Sequence, residues 1–171
     1  DAAMYRAKDL GRGCTVYFDD DMRRELIERA ELERELTTAL QDGQLTVHYQ
    51  STYDLGSGAV TGFDALVRWN HPERGVLPAN RFVPLAEAVG EVWAIDTFVL
   101  GETARQLARW QALDPRVADL TVAVNLSGQL LRDANVVATL EGVLSSAGIR
   151  PACFQLDISE STMMDERSGT P

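Results

Sequence analysis

A chain of 171 residues with 45% hydrophobic content is globular and suits one domain of ordinary size. Its formal charge of −10 and pI near 4.6 exclude non-specific nucleic-acid binding, which needs a basic surface, so an anionic ligand requires local arginines or a metal ion. Two cysteines, Cys14 and Cys153, cannot build a disulfide framework and suit a reducing cytoplasm, and no apolar run reaches the roughly 18 residues of a membrane span.

The chain starts with Asp rather than Met and reads as a fragment, one that leaves room for a sensor or membrane anchor upstream. Asp1 to Phe18 has the pattern of a last helix, a break at Gly11 and Gly13, and a strand at Thr15 to Phe18. Eighteen residues bury no core of their own. Asp19 to Gly43 reads as a long charged helix: Asp19, Asp20 and Asp21 suit its positive end, and Gly43 stops it. Leu26, Ala30, Leu32, Leu36 and Leu40 give it one apolar stripe. A solvated connector explains that stripe, and so does a helix that pairs with its copy in a homodimer.

From Leu45 onward strands and helices alternate. Leu45 to Tyr53 and Ala59 to Trp69 are β-like and joined by the turn Asp54-Leu-Gly-Ser-Gly58. Helical spacing follows at Ala79–Val89 and Val92–Leu113, then a strand at Asp119–Leu126, a helix at Asp133–Ala147 ending at Gly148, and a strand at Phe154–Ser159. This alternation predicts parallel pairing and an α/β class.

Polar residues inside those strands are the candidate site. Asp64 and Arg68 share one strand face and lie about 13 Å apart at roughly 3.3 Å per residue. Asn125 interrupts the apolar run Thr121 to Leu126, and Asp157 interrupts Phe154 to Ser159. Oxygen donors of this kind at strand ends suit a hard cation such as Mg²⁺ or Mn²⁺. Taken singly, each is better explained as a hydrogen-bonded strand-end residue, and only the three together favour a cation. His48 reads as a satisfied core residue, and His71, before Pro72, as a turn residue.

Between about Glu31 and Ser161 the chain resembles the EAL domain, the bacterial phosphodiesterase that opens cyclic di-GMP to linear pGpG. The residues that carry the resemblance are Tyr49-Gln50, Asp64-Ala65-Leu66-Val67-Arg68-Trp69, His71-Pro72, Phe82-Val-Pro-Leu-Ala-Glu87, Val124-Asn-Leu-Ser127 and Leu156-Asp-Ile-Ser-Glu-Ser161. Asp1-Ala-Ala-Met-Tyr-Arg-Ala-Lys8 with Gly11-Arg12 resembles the C-terminal end of a GGDEF domain.

The resemblance implies residues 1–18 as a GGDEF-like tail, 19–31 as the start of a connector helix, and 32–171 as the N-terminal part of an EAL domain. The implied fold is a truncated, TIM-like (α/β) barrel. It also implies Asp64, Asn125 and Asp157 as ligands of Mg²⁺ or Mn²⁺, and Gln50, Leu66 and Arg68 as contacts to cyclic di-GMP. Two departures stand out. Asp64 and Asp157 replace the family's glutamates, each one methylene shorter. The family's second metal motif and its water-activating lysine are expected beyond Pro171, so no residue of this chain is assigned as the catalytic base. Two functions follow: a phosphodiesterase module whose isolated fragment is inactive, or a degenerate module that serves as receptor or scaffold.

Overall fold

The computed structural model describes residues 20–114 and 117–158. The expected GGDEF-like tail, Cys14, Asp19 and the end of the last motif, Ser159 to Ser161, lie outside them. So does Pro171. Helix α1 spans Asp20–Ala39, and Asp20 and Asp21 occupy its first turn, where the helix dipole favours acids. Its first half is largely solvated. In its second half Leu32, Leu36 and Ala39 join the hydrophobic core, so the apolar stripe packs onto the domain.

Strands β1 (Leu45–Tyr53) and β2 (Val60–His71) form the expected hairpin, in antiparallel register with Gln50 opposite Asp64. Asp54 fixes the turn, accepting from the Ser57 amide at 2.8 Å and its hydroxyl at 2.7 Å, and Gly58 takes φ 69°. A strand absent from the sequence reading follows: β3, Gly75–Pro78, folds back antiparallel on the end of β2. Four residues closed by a proline are too few to show alternation.

Helices α2 (Ala79–Val89) and α3 (Val92–Leu113) have the expected bounds; Gly90, at φ 80°, ends α2 in the left-handed conformation. Strand β4 (Thr121–Leu126) leads into a four-residue helix, α4 (Gly128–Leu131), and α5 (Val136–Ala147) starts three residues later than expected. The reason is local: Asp133 Oδ1 accepts from the Asn135 amide at 2.8 Å, an Asx turn that delays the helix. Strand β5 (Phe154–Ile158) completes the described chain.

The sheet order is β1-β2-β4-β5, with β3 off β2; β2, β4 and β5 run parallel and β1 antiparallel. Ala65, Val67, Trp69, Val122 and Val124 point into a core shared with α1, α2 and α3. Trp69 stacks edge-on against Phe82 and donates its indole N–H to Gln44 at 2.9 Å. Burying each such large side chain contributes roughly 1.5–3 kcal/mol. Helices cover one face only, and among the described residues the sheet does not close, as expected of a partial barrel. No helix of the described residues is long and apolar enough to cross a membrane.

Candidate functional site

The face of the sheet turned away from the helices collects the polar strand residues. Along β2, Ala65, Val67 and Trp69 point into the core, so Asp64, Leu66 and Arg68 point the other way. Register carries this face across the sheet. Gln50 pairs with Asp64, His48 with Leu66 and Thr46 with Arg68; Asp64 pairs with Ala123, and Asn125, two residues further on, pairs with Asp157. All six residues expected from the sequence therefore share one face. Asn125 and Asp157 are immediate neighbours at a strand spacing of about 4.8 Å, whereas Asp64 lies about 8 Å from Asn125 along the diagonal.

Asp157 is held by a neighbour on this face: its Oδ1 accepts from Gln155 Nε2 at 2.9 Å. Arg68 donates from Nη1 to the carbonyl of Val67 at 2.8 Å. Asp64 and Asn125 make no side-chain hydrogen bond among the described residues. Two carboxylates and an amide oxygen are the donor chemistry of a hard cation. No three His, Cys, Asp or Glu side chains of the described residues cluster closely enough to hold a metal by themselves. A cation here would thus need the Asn125 oxygen, with water completing its shell. The donor types fit Mg²⁺ or Mn²⁺.

A cavity of about 520 Å³ opens beside the C-terminal end of β4 and the middle of β2, a volume in the range of small-molecule sites. Leu66 and Asn125 line it from the sheet, Asn80 and Glu87 from α2, and Asp96 from α3. Asp96 is 6% exposed. Burial, resisted by hydrogen bonds from Ser127 and assisted by Glu87, pushes its carboxyl up to about 6.

The sequence model of the EAL domain matches residues 33–170, most of the chain. The chain belongs to the EAL domain family. Among similar proteins, the bifunctional diguanylate cyclase/cyclic di-GMP phosphodiesterase MucR of Pseudomonas aeruginosa is 38% identical over 96% of this chain. The cyclic di-GMP phosphodiesterase PdeR of Escherichia coli is 33% identical over 96%. The chain spans about a quarter of each, 24% of their lengths. A solved structure of the Pseudomonas aeruginosa MucR phosphodiesterase with cyclic di-GMP superposes with a TM-score of 0.74 at 36% identity, over 80% of this chain and 55% of that one. The FimX EAL domain of Xanthomonas citri, at 23% identity and a TM-score of 0.67, shares the fold; it covers 85% of this chain and 55% of its own.

Within this EAL chain two histidine readings are corrected. His48 is exposed on the polar face beside Leu66, because its strand position, not its apolar neighbours, sets its direction. His71 is 4% exposed and is the last residue of β2, just ahead of the turn in which it was expected. Sequence reasoning also passed over Gln155, which orients Asp157, and Asp96. The second left a signal. Asp96 stands in helical register with Val99, Leu100 and Thr103 on the buried stripe of α3, where an acid is out of place.

Proposed function

We propose that this chain is the N-terminal part of a cyclic di-GMP phosphodiesterase barrel and that its polar sheet face is one half of the ligand site. The observation that carries the reading is the common face of Asp64, Asn125 and Asp157, continued by Gln50, Leu66 and Arg68. The phosphodiesterases MucR and PdeR support the substrate class, as does the MucR complex with cyclic di-GMP. Asp64, Asn125 and Asp157 would hold Mg²⁺ or Mn²⁺. Such an ion, when bound, offsets phosphate charge and lowers the pKa of the attacking water. Arg68 supplies the remaining positive charge on an acidic chain, and Gln50 and Leu66 flank the phosphodiester ring.

By itself the 171-residue chain binds the dinucleotide without hydrolysing it. Its two acids, Asp64 and Asp157, are each one methylene shorter than glutamate, which loosens the hold on a cation that tolerates little deviation in bond length. Each 1.4 kcal/mol of transition-state stabilisation lost is about tenfold in rate. Residues 1–18 as a GGDEF-like tail, 19–31 as connector, and 32–171 as EAL domain complete the reading, with a cytoplasmic setting. The exposed Leu26 and Ile27 of α1 are the surface on which a homodimer would form.

A receptor or scaffold role is the second reading, favoured by the shortened acids. Incubation of the chain with cyclic di-GMP and Mn²⁺, with pGpG followed by chromatography, should give no product. Calorimetric titration should give binding that Arg68→Ala removes. Product that scales with protein and disappears in Asp64→Ala overturns the inactive reading, and absence of any binding overturns the ligand site.

A further inference from the structure

Asn125 is the fifth residue of the six in β4, so the turn that begins at Ser127 decides where its side chain is held. That turn has little to hold it from its own side. Helix α4 has only four residues, far below the length at which a helix is stable alone. The hold comes from α3. Ser127 donates both its hydroxyl and, at 3.3 Å, its backbone N–H to Oδ2 of Asp96. The same hydroxyl oxygen accepts from the Leu130 amide at 3.2 Å, capping α4. One proton and one lone pair of the Ser127 hydroxyl, with its backbone N–H, thus tie the long helix, the turn and the short helix together. Asp96 is 6% exposed and Ser127 9%. A carboxylate buried this far is costly unless it is hydrogen-bonded, and both of its bonds go to this one residue.

We propose that Asp96 is a positioning residue: through Ser127 it fixes the end of β4 and so the direction in which Asn125 presents its amide oxygen on the polar face. Both residues line the cavity beside β4. The inference rests on the reading of Asn125 as a ligand, and it separates two jobs on one wall. Asn125 supplies the donor atom, and Asp96, from the helix layer, removes the freedom of the backbone beneath it.

Mn²⁺ affinity of the chain, measured by water-proton relaxation, tests the role together with the side-chain amide resonance of Asn125, assigned through its loss in Asn125→Ala. Asp96→Ala and Ser127→Ala should each weaken Mn²⁺ binding about tenfold, the scale of a lost partner behind a ligand. The double variant should be no weaker than Asp96→Ala, since both remove one link. Asp96→Asn keeps an acceptor oxygen and should stay within about twofold of wild type, well short of the tenfold loss. The Asn125 amide resonance should be distinct in wild type and motionally averaged in Asp96→Ala. A purely structural role would lower thermal stability and leave affinity and resonance as they were; that outcome overturns the proposal. If Asp96→Ala does not fold, Ser127→Ala decides by the same two readouts. If wild type binds no Mn²⁺, the metal reading of the site fails, and the Asn125 resonance alone decides whether Asp96 positions it.

Discussion

His71 Nε2 lies 2.7 Å from Glu35 Oε2, joining the end of β2 to helix α1. The tautomer follows from the other ring nitrogen. His71 Nδ1 accepts from the Glu73 and Arg74 amides, each at 3.2 Å, so the proton sits on Nε2 and is donated to Glu35. Arg74 adds two more contacts to the helix, to Glu31 at 2.6 Å and to Glu35 at 3.1 Å. The Pro72–Arg74 turn, which leads directly from the β2 of the candidate site, is thereby latched to the helix that enters the domain.

The hydrogen bond from His71 holds the Glu35 carboxyl below its ordinary value of 4.5, with help from the Arg74 charge and against desolvation. An acid depressed on folding stabilises the native state above its unfolded pKa, and that stability is lost as pH falls through the folded value. Glu35→Gln should therefore lower unfolding free energy at pH 7 by about 1 kcal/mol, modest because the pair is partly solvated. The gap should shrink steadily below pH 4.5. Urea titrations at pH 3 and 7 check it, and an equal gap at both pH values contradicts the latch.

Asp96 titrates with the opposite sign. Its carboxyl is raised on folding to about 6 from an ordinary 3.8, chiefly by burial, with Glu87 of α2 the other acid on the cavity wall. The folded state gains from the protonated form below the unfolded value, and the gain is lost as pH rises from there through about 6. Ionisation then costs on the order of 3 kcal/mol at neutral pH. Asp96→Asn should raise the melting temperature at pH 8 and leave it nearly unchanged at pH 3.5. An Asn variant less stable at pH 8 than at pH 3.5, each relative to wild type, would sink this account.

Gly62 marks where β2 first meets β4. A Cβ there would lie 2.4 Å from the backbone oxygen of Thr121, its ladder partner, and 2.6 Å from that residue's hydroxyl. Backbone cannot step aside as a side chain can. Gly62→Ala should destabilise the chain by about 2 kcal/mol or more, the cost of overpacking against main chain. Amide exchange should show the loss first at Val122 and Ala123. A variant as stable as wild type means that the two strands can separate without cost.

Much of this was legible in the sequence because it depends on local pattern. Alternation along Gly62–Trp69 separated the Asp64, Leu66 and Arg68 face from the core, and the register then placed Gln50, Asn125 and Asp157 on the same side. What the sequence hid depends on contacts between distant segments. His48 and His71 departed from their expected places because one is set by strand parity and the other is held by Glu35, 36 residues earlier. The Asp96–Ser127 link spans 31 residues and two elements, and no local window contains both. Strand β3 was missed because its pairing with β2, not its own four residues, makes it a strand.

The shortened acids make the last prediction. Asn125 and Asp157 are ladder neighbours, while Asp64 stands on β2 about 8 Å from Asn125, so it has the longest reach to any shared cation. A metal–oxygen bond of about 2.1 Å for Mg²⁺ allows little slack. Asp64→Glu adds one carbon–carbon bond, about 1.5 Å, and should tighten Mn²⁺ binding roughly tenfold, with Asp157→Glu adding less because its strand already adjoins Asn125. Asp119→Glu is the control, since that exposed acid pairs with Arg150 at the opposite end of β4. Titration of Mn²⁺ by electron paramagnetic resonance reads all three variants. If Asp64→Glu binds no tighter than wild type while Asn125→Ala still abolishes binding, the ion sits nearer Asp157 than the three-donor site requires, and Asp64 has another role on this face.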